Sequence, residues 1–275
     1  MGKEGRNMIT QIFKQTAAYK VMIIVFLLFT LMFIVTIHSF QTYTGILIFF
    51  LLEMIILGEI LMVGFSKVNK VMKKEWQDPL EMELDPAKIK RALEQQPKIV
   101  NTVEGYNMQG ICEMLLGNVE TSLPLFQKAL QLHPDKKNQF VLYCNLAKVS
   151  LQQKQMEQAK QYFMQAKSIC NQLPSAIIKR NQCELLLKHI EMQIGYIQGT
   201  YTAAQYIAYL KKRLLSDYAT LRVRMDIRYQ LACLYHEQKD DERVYEQLRW
   251  LEKFANKTIY VNRVHEFLEE RVSEQ

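Results

Sequence analysis

Seventeen consecutive residues without a charge, Val21 to Ile37 (VMIIVFLLFTLMFIVTI), constrain this chain more than any other stretch. A helix on the surface of a soluble domain keeps one side polar, and this run has no polar side to keep. At about 1.5 Å per residue it approaches the ~30 Å of a bilayer's hydrocarbon core. Flanking Ala17, Ala18, Tyr19 and His38 lengthen it. A second run, Thr44 to Phe65 (TGILIFFLLEMIILGEILMVGF), follows after only His38 to Tyr43. The pair predicts a transmembrane hairpin over 21–65, with helices at about 21–38 and 44–65. A secretory signal is a competing assignment, but HSFQTYTG offers no small-residue cleavage site. A buried helix pair in a soluble domain is the other.

The formal net charge of +7 is unevenly placed. Lys3, Arg6, Lys14 and Lys20 occupy the basic segment 1–20, and Lys67, Lys70, Lys73 and Lys74 follow the second run, while the connecting turn has no Lys or Arg. The positive-inside rule then puts both termini and everything after the hairpin in the cytoplasm, at the cell membrane. The basic excess is read as topology and lipid contact, with no nucleic-acid partner. Five cysteines, an odd number with no CxxC pair, predict free thiols in a reducing compartment. Within the second run, Glu53 lies near the middle and Glu59 nearer the cytoplasmic end. They sit about 120° apart around a helix, so they share no face. A carboxylate at mid-bilayer is costly, and Thr30, at similar depth in an antiparallel hairpin, is its candidate partner. Two readings of Glu53 stand: an ion or proton path, or a polar contact that fixes helix packing or an oligomer.

Beyond the hairpin the composition favours helix throughout. Residues 66–99 read as a charged connector with a short helix begun by Asp85-Pro86, an N-cap followed by proline in the first turn. Residues 103–136 (VEGYNMQGICEMLLGNVETSLPLFQKALQLHPDK) pair a small residue, Gly110, with a turn glycine, Gly117. Tyr106 precedes them, Phe126 and Ala129 follow on the second helix, and Pro134 stands at its end. This pattern resembles a tetratricopeptide repeat, although Gln109 stands where leucine is usual and Pro124 falls early in the second helix, with Ser122 as a candidate cap. A second unit starts near Phe140, with Leu146, Ala147, Ala159, Phe163 and Ala166 in place and Lys154-Gln155 at its turn. A third starts near Leu185, with Gly199 at the turn and Ala204 and Ala208 after it. A fourth starts near Met225, with Leu231, Ala232 and Tyr235, then Leu248 and Leu251. The resemblance implies an all-α fold: a TPR-like α-solenoid of helix pairs over 100–260 and a solvating C-terminal capping helix over 261–275.

The resemblance also implies a concave face lined by the first helix of each pair. Its positions are Asn107, Ile111, Met114, Cys144, Lys148, Leu151, His189, Gln193, Tyr196, Tyr229, Cys233 and His236. An extended or helical segment of a protein or peptide is the implied ligand. The basic run KKRLLSDYATLRVRMDIR, Lys211 to Arg228, reads first as a solvated helix face, with a surface for anionic lipid or an acidic partner as the alternative. No phosphate loop, dinucleotide fingerprint, nucleophile elbow or Cys/His metal spacing occurs, so no catalytic residue, cofactor or metal is assigned and no enzyme is expected. Three functions remain open. The first is a membrane-tethered scaffold or assembly factor that recruits a protein partner. The second is a subunit of an ion-coupled or transport complex that uses Glu53. The third is a receptor for a peptide signal.

Overall fold

The computed structural model describes residues 17–39, 43–72, 74, 78–81 and 83–273. All the regular structure among them is helical. The chain divides into two units, Arg6–Trp76 and Gln77–Gln275 with Met1–Gly5.

The first unit is a pair of helices in mutual contact, α1 (Ala17–Ser39) and α2 (Tyr43–Met72). Both outrun their apolar cores. Helical backbone needs good helix formers, not only apolar ones, and Ala17, Ala18, Lys67, Lys70 and Met72 qualify. Apolar side chains stand out along both helices: Leu27 and Leu31 are each 61% exposed and Met62 is 68% exposed. Taken over the described residues alone, no helix is long and apolar enough to cross a membrane. Lys3, Arg6, Lys14 and Lys73 lie outside the described residues, as does the side chain of Glu53. Thr30, the candidate partner of Glu53, turns its hydroxyl back onto its own helix and donates to the Phe26 carbonyl at 2.9 Å, a usual resort of threonine inside a helix. Glu59 is exposed.

The second unit begins earlier than the sequence implied. Three short helices, α3 (Asp78–Glu81), α4 (Pro86–Glu94) and α5 (Pro97–Val100), fall inside the expected connector. They belong to the packed domain because Leu80, Leu84, Ile89, Leu93 and Ile99 are all buried. Asp85 caps α4 as anticipated, accepting from the Lys88 amide at 3.0 Å.

Four helix pairs follow. They are α6 (Val103–Leu116) with α7 (Val119–Gln131), α8 (Lys136–Gln152) with α9 (Met156–Cys170), α11 (Cys183–Ile197) with α12 (Ala203–Leu214), and α13 (Leu221–Glu237) with α14 (Asp241–Phe254). A short helix, α10 (Ser175–Asn181), bridges the second and third pairs and accounts for their wider spacing. The second pair starts at Lys136, one turn before Phe140, because Asp135 accepts from the Asn138 amide at 2.7 Å. Gly117 ends α6 in the left-handed region, φ 88°, and Lys154 takes the same conformation where the second repeat has no glycine, φ 60°. Pro124 sits inside α7 and brings no N–H to the Glu120 carbonyl. Ser122 does not cap that helix; its hydroxyl donates to Val119 at 2.7 Å.

Gly110 sets the spacing of the first pair. A Cβ there would lie 2.5 Å from the ring of Phe126, which is fully buried. Gly110→Val is therefore expected to lower stability by about 1–3 kcal/mol through overpacking. Urea denaturation of the variant against the parent chain measures it, and an unchanged midpoint would show that the Phe126 ring has room to move.

The array curls until its last elements meet its first. Helix α15 (Ile259–Ser273) contacts α6, with Ile259 seated where Gly117 has no side chain. Lys257 Nζ is 2.6 Å from Asp85 Oδ2, and the Asn256 amide donates to the Glu83 carbonyl. Arg222 Nε donates to Glu81 Oε1 at 2.9 Å. The C-terminal helix is thus more than the solvating cap expected over 261–275. It starts at Ile259, buries Tyr260 and Val264, and closes the array.

Candidate functional site, a polar cavity inside the array

The closure leaves a partly open cavity of about 80 Å³ among the inner helices. Ile111 and Met114 come from α6, Lys148 from α8, and His189 and Gln193 from α11. These five were expected on the concave face. The other expected positions go elsewhere. Asn107 accepts from Asn145 Nδ2 at 2.8 Å and ties α6 to α8. Leu151 is buried, as is Cys144, while Cys233 is only partly covered. Tyr196 stacks on Tyr206 at 5.2 Å and donates to Glu237. Tyr229 meets the Tyr260 ring edge-on at 5.3 Å, beneath the Arg263 guanidinium. His236 is edge-on to Phe267 at 4.8 Å. Five of the expected positions thus converge on one cavity, and the others are engaged by neighbouring side chains.

The cavity's strongest charges were missed. They lie in the run read as a solvated face. Arg213 is only 7% exposed; its Nη1 donates to the Leu185 carbonyl at 2.8 Å and contacts the Tyr209 hydroxyl at 3.4 Å. Arg222, Asp226 and Gln230 share one face of α13 and all reach the cavity. Arg228 bonds Gln247 at 2.8 Å with its guanidinium over Trp250. Their stride of four residues was the available signal: Arg222, Asp226 and Gln230 recur at i, i+4 and i+8, which places them on one side of a helix.

Asp226 is the hub. Tyr260 donates to its Oδ1 at 2.9 Å, Gln230 donates to its Oδ2 at 3.0 Å, and His189 Nε2 lies 3.6 Å from Oδ2. Tyr206 donates in turn to Gln230. Burial alone would raise the Asp226 carboxyl, but His189, Lys148 and Tyr260 hold it well below the usual range. Burial pushes His189 down against the pull of Asp226, so its imidazole is neutral near pH 7. Burial likewise pushes the Lys148 ammonium down, with Asp226 opposing. Glu81, at the edge, would be raised by burial but is held below its ordinary value by Arg222 and Thr220.

The pH dependence follows. A neutral His189 in the folded chain resists a proton that the unfolded chain accepts below about pH 6.5. Folding stability is therefore full above that pH and declines as pH falls through it. Asp226 adds a loss of the same sign, beginning as pH falls toward about 3.9, the ordinary aspartate value. Urea midpoints at pH 7.5, 6.5 and 5 should decrease in that order, and His189→Gln should flatten the decrease. An equally steep fall in the variant would place the titrating group elsewhere.

The remaining titratable groups offer little chemistry. Burial pushes the Cys112 and Cys144 thiols up to about 12 and Cys183 up to about 11, so thiolates are scarce. Among the described residues, no group of three or more His, Cys, Asp or Glu side chains converges as a metal site would. Comparison with curated proteins and with solved structures gives no match. Comparison with family models gives one over the first two helix pairs: residues 102–172 match the tetratricopeptide repeat.

Proposed function

We propose that the chain is a membrane-tethered protein-interaction scaffold or assembly factor whose helical array holds a protein partner at the cytoplasmic face of the cell membrane. The observation that carries the interaction role is the tetratricopeptide match over 102–172, since such repeats generally mediate protein–protein interaction. The described side chains hold no crossing on their own, so the tether rests on the full sequence. Its support is the charge-free run Val21–Ile37, the second apolar run and the basic residues on both outer flanks. The apolar side chains left exposed along α1 and α2 agree with it, because lipid is a solvent that does not penalise them.

Exposed apolar and aromatic side chains of the array, Met164, Ile197, Leu215 and Tyr218, offer contact surface for the partner. The role is local concentration of a partner and involves no turnover. Nucleic acid is not among the proposed partners; lipid contact and an oligomer formed through the hairpin are. Glu53 enters as a packing contact within that hairpin.

Cross-linking in membranes, followed by affinity purification, tests this reading. The full chain and the fragment 77–275 should both recover the same protein, and only the full chain should recover it from the membrane fraction. Recovery by the full chain alone would move recognition into the hairpin. Recovery of no common protein would remove the scaffold role.

A further inference from the structure

We infer that the central cavity is a binding site for a small free oxyanion that also carries a hydroxyl, such as hydrogen phosphate or a hydroxycarboxylate. This goes beyond the scaffold role and rests on different observations. Three cationic side chains, Lys148, Arg213 and Arg222, reach the cavity wall against one carboxylate, Asp226. Glu81 balances Arg222 from the rim at 2.9 Å. With Lys148 protonated the set carries one positive charge in excess, and a bound anion both balances that charge and opposes the loss of the Lys148 proton that burial favours.

The hydrogen bonding specifies more than charge. Asp226 is ionised and cannot donate, so the His189 proton sits on Nε2, facing Asp226 Oδ2. That leaves Nδ1 as an acceptor, buried and without a protein partner. Arg213 spends Nη1 on Leu185 and Tyr209, while its Nε, also buried, has no protein partner. His189 is 2% exposed and Arg213 7% exposed. Buried polar atoms of this kind are rare in native proteins, and each calls for a partner. The cavity thus presents a guanidinium N–H and an ammonium to donate to an oxyanion, and an imidazole lone pair to accept from its O–H.

Size fixes the class further. A volume of about 80 Å³ admits a few heavy atoms and excludes a peptide segment. Ile111 and Met114 give the wall an apolar side, which suits a short carbon chain on a hydroxycarboxylate. Tyr260 of the C-terminal helix bonds Asp226 at the cavity wall. A space of this size suits a free ion better than a headgroup still joined to its glycerol and chains, so the ligand comes from solution.

Isothermal titration of the full chain in zwitterionic nanodiscs tests the site, with sodium phosphate and sodium lactate as probes and sodium chloride at matched ionic strength as the control. Saturable binding of phosphate or lactate, absent with chloride, is expected. Lys148→Met, which keeps the volume and removes the charge, should weaken it at least tenfold, and Lys148→Arg should restore most of it. Adding vesicles rich in phosphatidylglycerol should leave the affinity unchanged. The inference is overturned if neither probe binds saturably, if Lys148→Met binds as tightly as the parent, or if the anionic vesicles compete. Because Arg213 also supports Leu185, Arg213→Gln is read only alongside its circular dichroism. Folded Arg213→Gln with undiminished binding counts against the site.

Discussion

Asp226→Ala is expected to destabilise the helical array by on the order of 3 kcal/mol. The substitution strips the acceptor from Tyr260 and from Gln230 and leaves Lys148 facing the cavity with no counter-charge. A polar group left unpaired in a protein interior costs about 1–3 kcal/mol, and here at least two lose their partner together. The figure stays in the lower half of their combined range because Asp226 keeps some contact with water, its side chain being 34% exposed. The damage should spread along the closure, since Tyr260 belongs to α15 and its bond to Asp226 helps hold the last helix to the inner face. Urea denaturation with tryptophan emission measures the loss. Trp250 reports from the fourth pair, where Arg228 sits over its ring at 4.7 Å. The double variant Asp226→Ala, Tyr260→Phe should cost less than the sum of the singles, because the phenylalanine has no hydroxyl to orphan. Additive costs would mean that the Tyr260–Asp226 bond contributes little.

The helical character and the repeat logic were legible because each rests on a local rule. Gly110 reads as a close approach, and Phe126 fills it. Gly117 reads as a turn, and it takes a positive φ. Asp85-Pro86 reads as a helix start, and Asp85 caps it. What was not legible was long-range. No window of sequence states that the residues around Asn256 return to Glu83 and Asp85, or that Ile259 fills the space above Gly117. Ring closure is a sum of small rotations between successive helix pairs, and the family pattern describes a pair but not that sum. The positions expected on the concave face therefore divide. Ile111, Met114, Lys148, His189 and Gln193 converge, while Tyr196, Tyr229 and His236 are taken up by neighbouring aromatic rings. The basic run was misjudged for the same reason. Arg213 and Arg222 look solvated on an isolated helix and come to line a shared cavity only once the helix pairs have packed together.

The largest effect concerns the hairpin. The full chain should stay with membranes through an alkaline carbonate wash, whereas a fragment of residues 77–275 should appear wholly in the soluble fraction. The argument is one of solvent. Leu27, Leu31, Ile34, Leu47, Ile55 and Met62 are each more than half exposed along α1 and α2. At about 25 cal/mol per Å² of apolar surface, leaving so many large side chains in water is costly, and lipid removes the cost without a protein partner. The competing account is that a second protein or another copy of this chain covers the same surface, and the wash separates the two. A peripheral or oligomeric hairpin is released at alkaline pH, and a crossing is retained. Leu27→Arg sharpens the test. A guanidinium near the middle of α1 costs about 2.5–3.5 kcal/mol to insert on translocon scales, so the variant should shift measurably into the soluble or aggregated fraction. The same change on a face merely exposed to water would leave fractionation as it was. If the wild-type chain washes off, the tether fails and the helical array keeps its interaction role without it, because the tetratricopeptide match covers residues 102–172 and owes nothing to the hairpin.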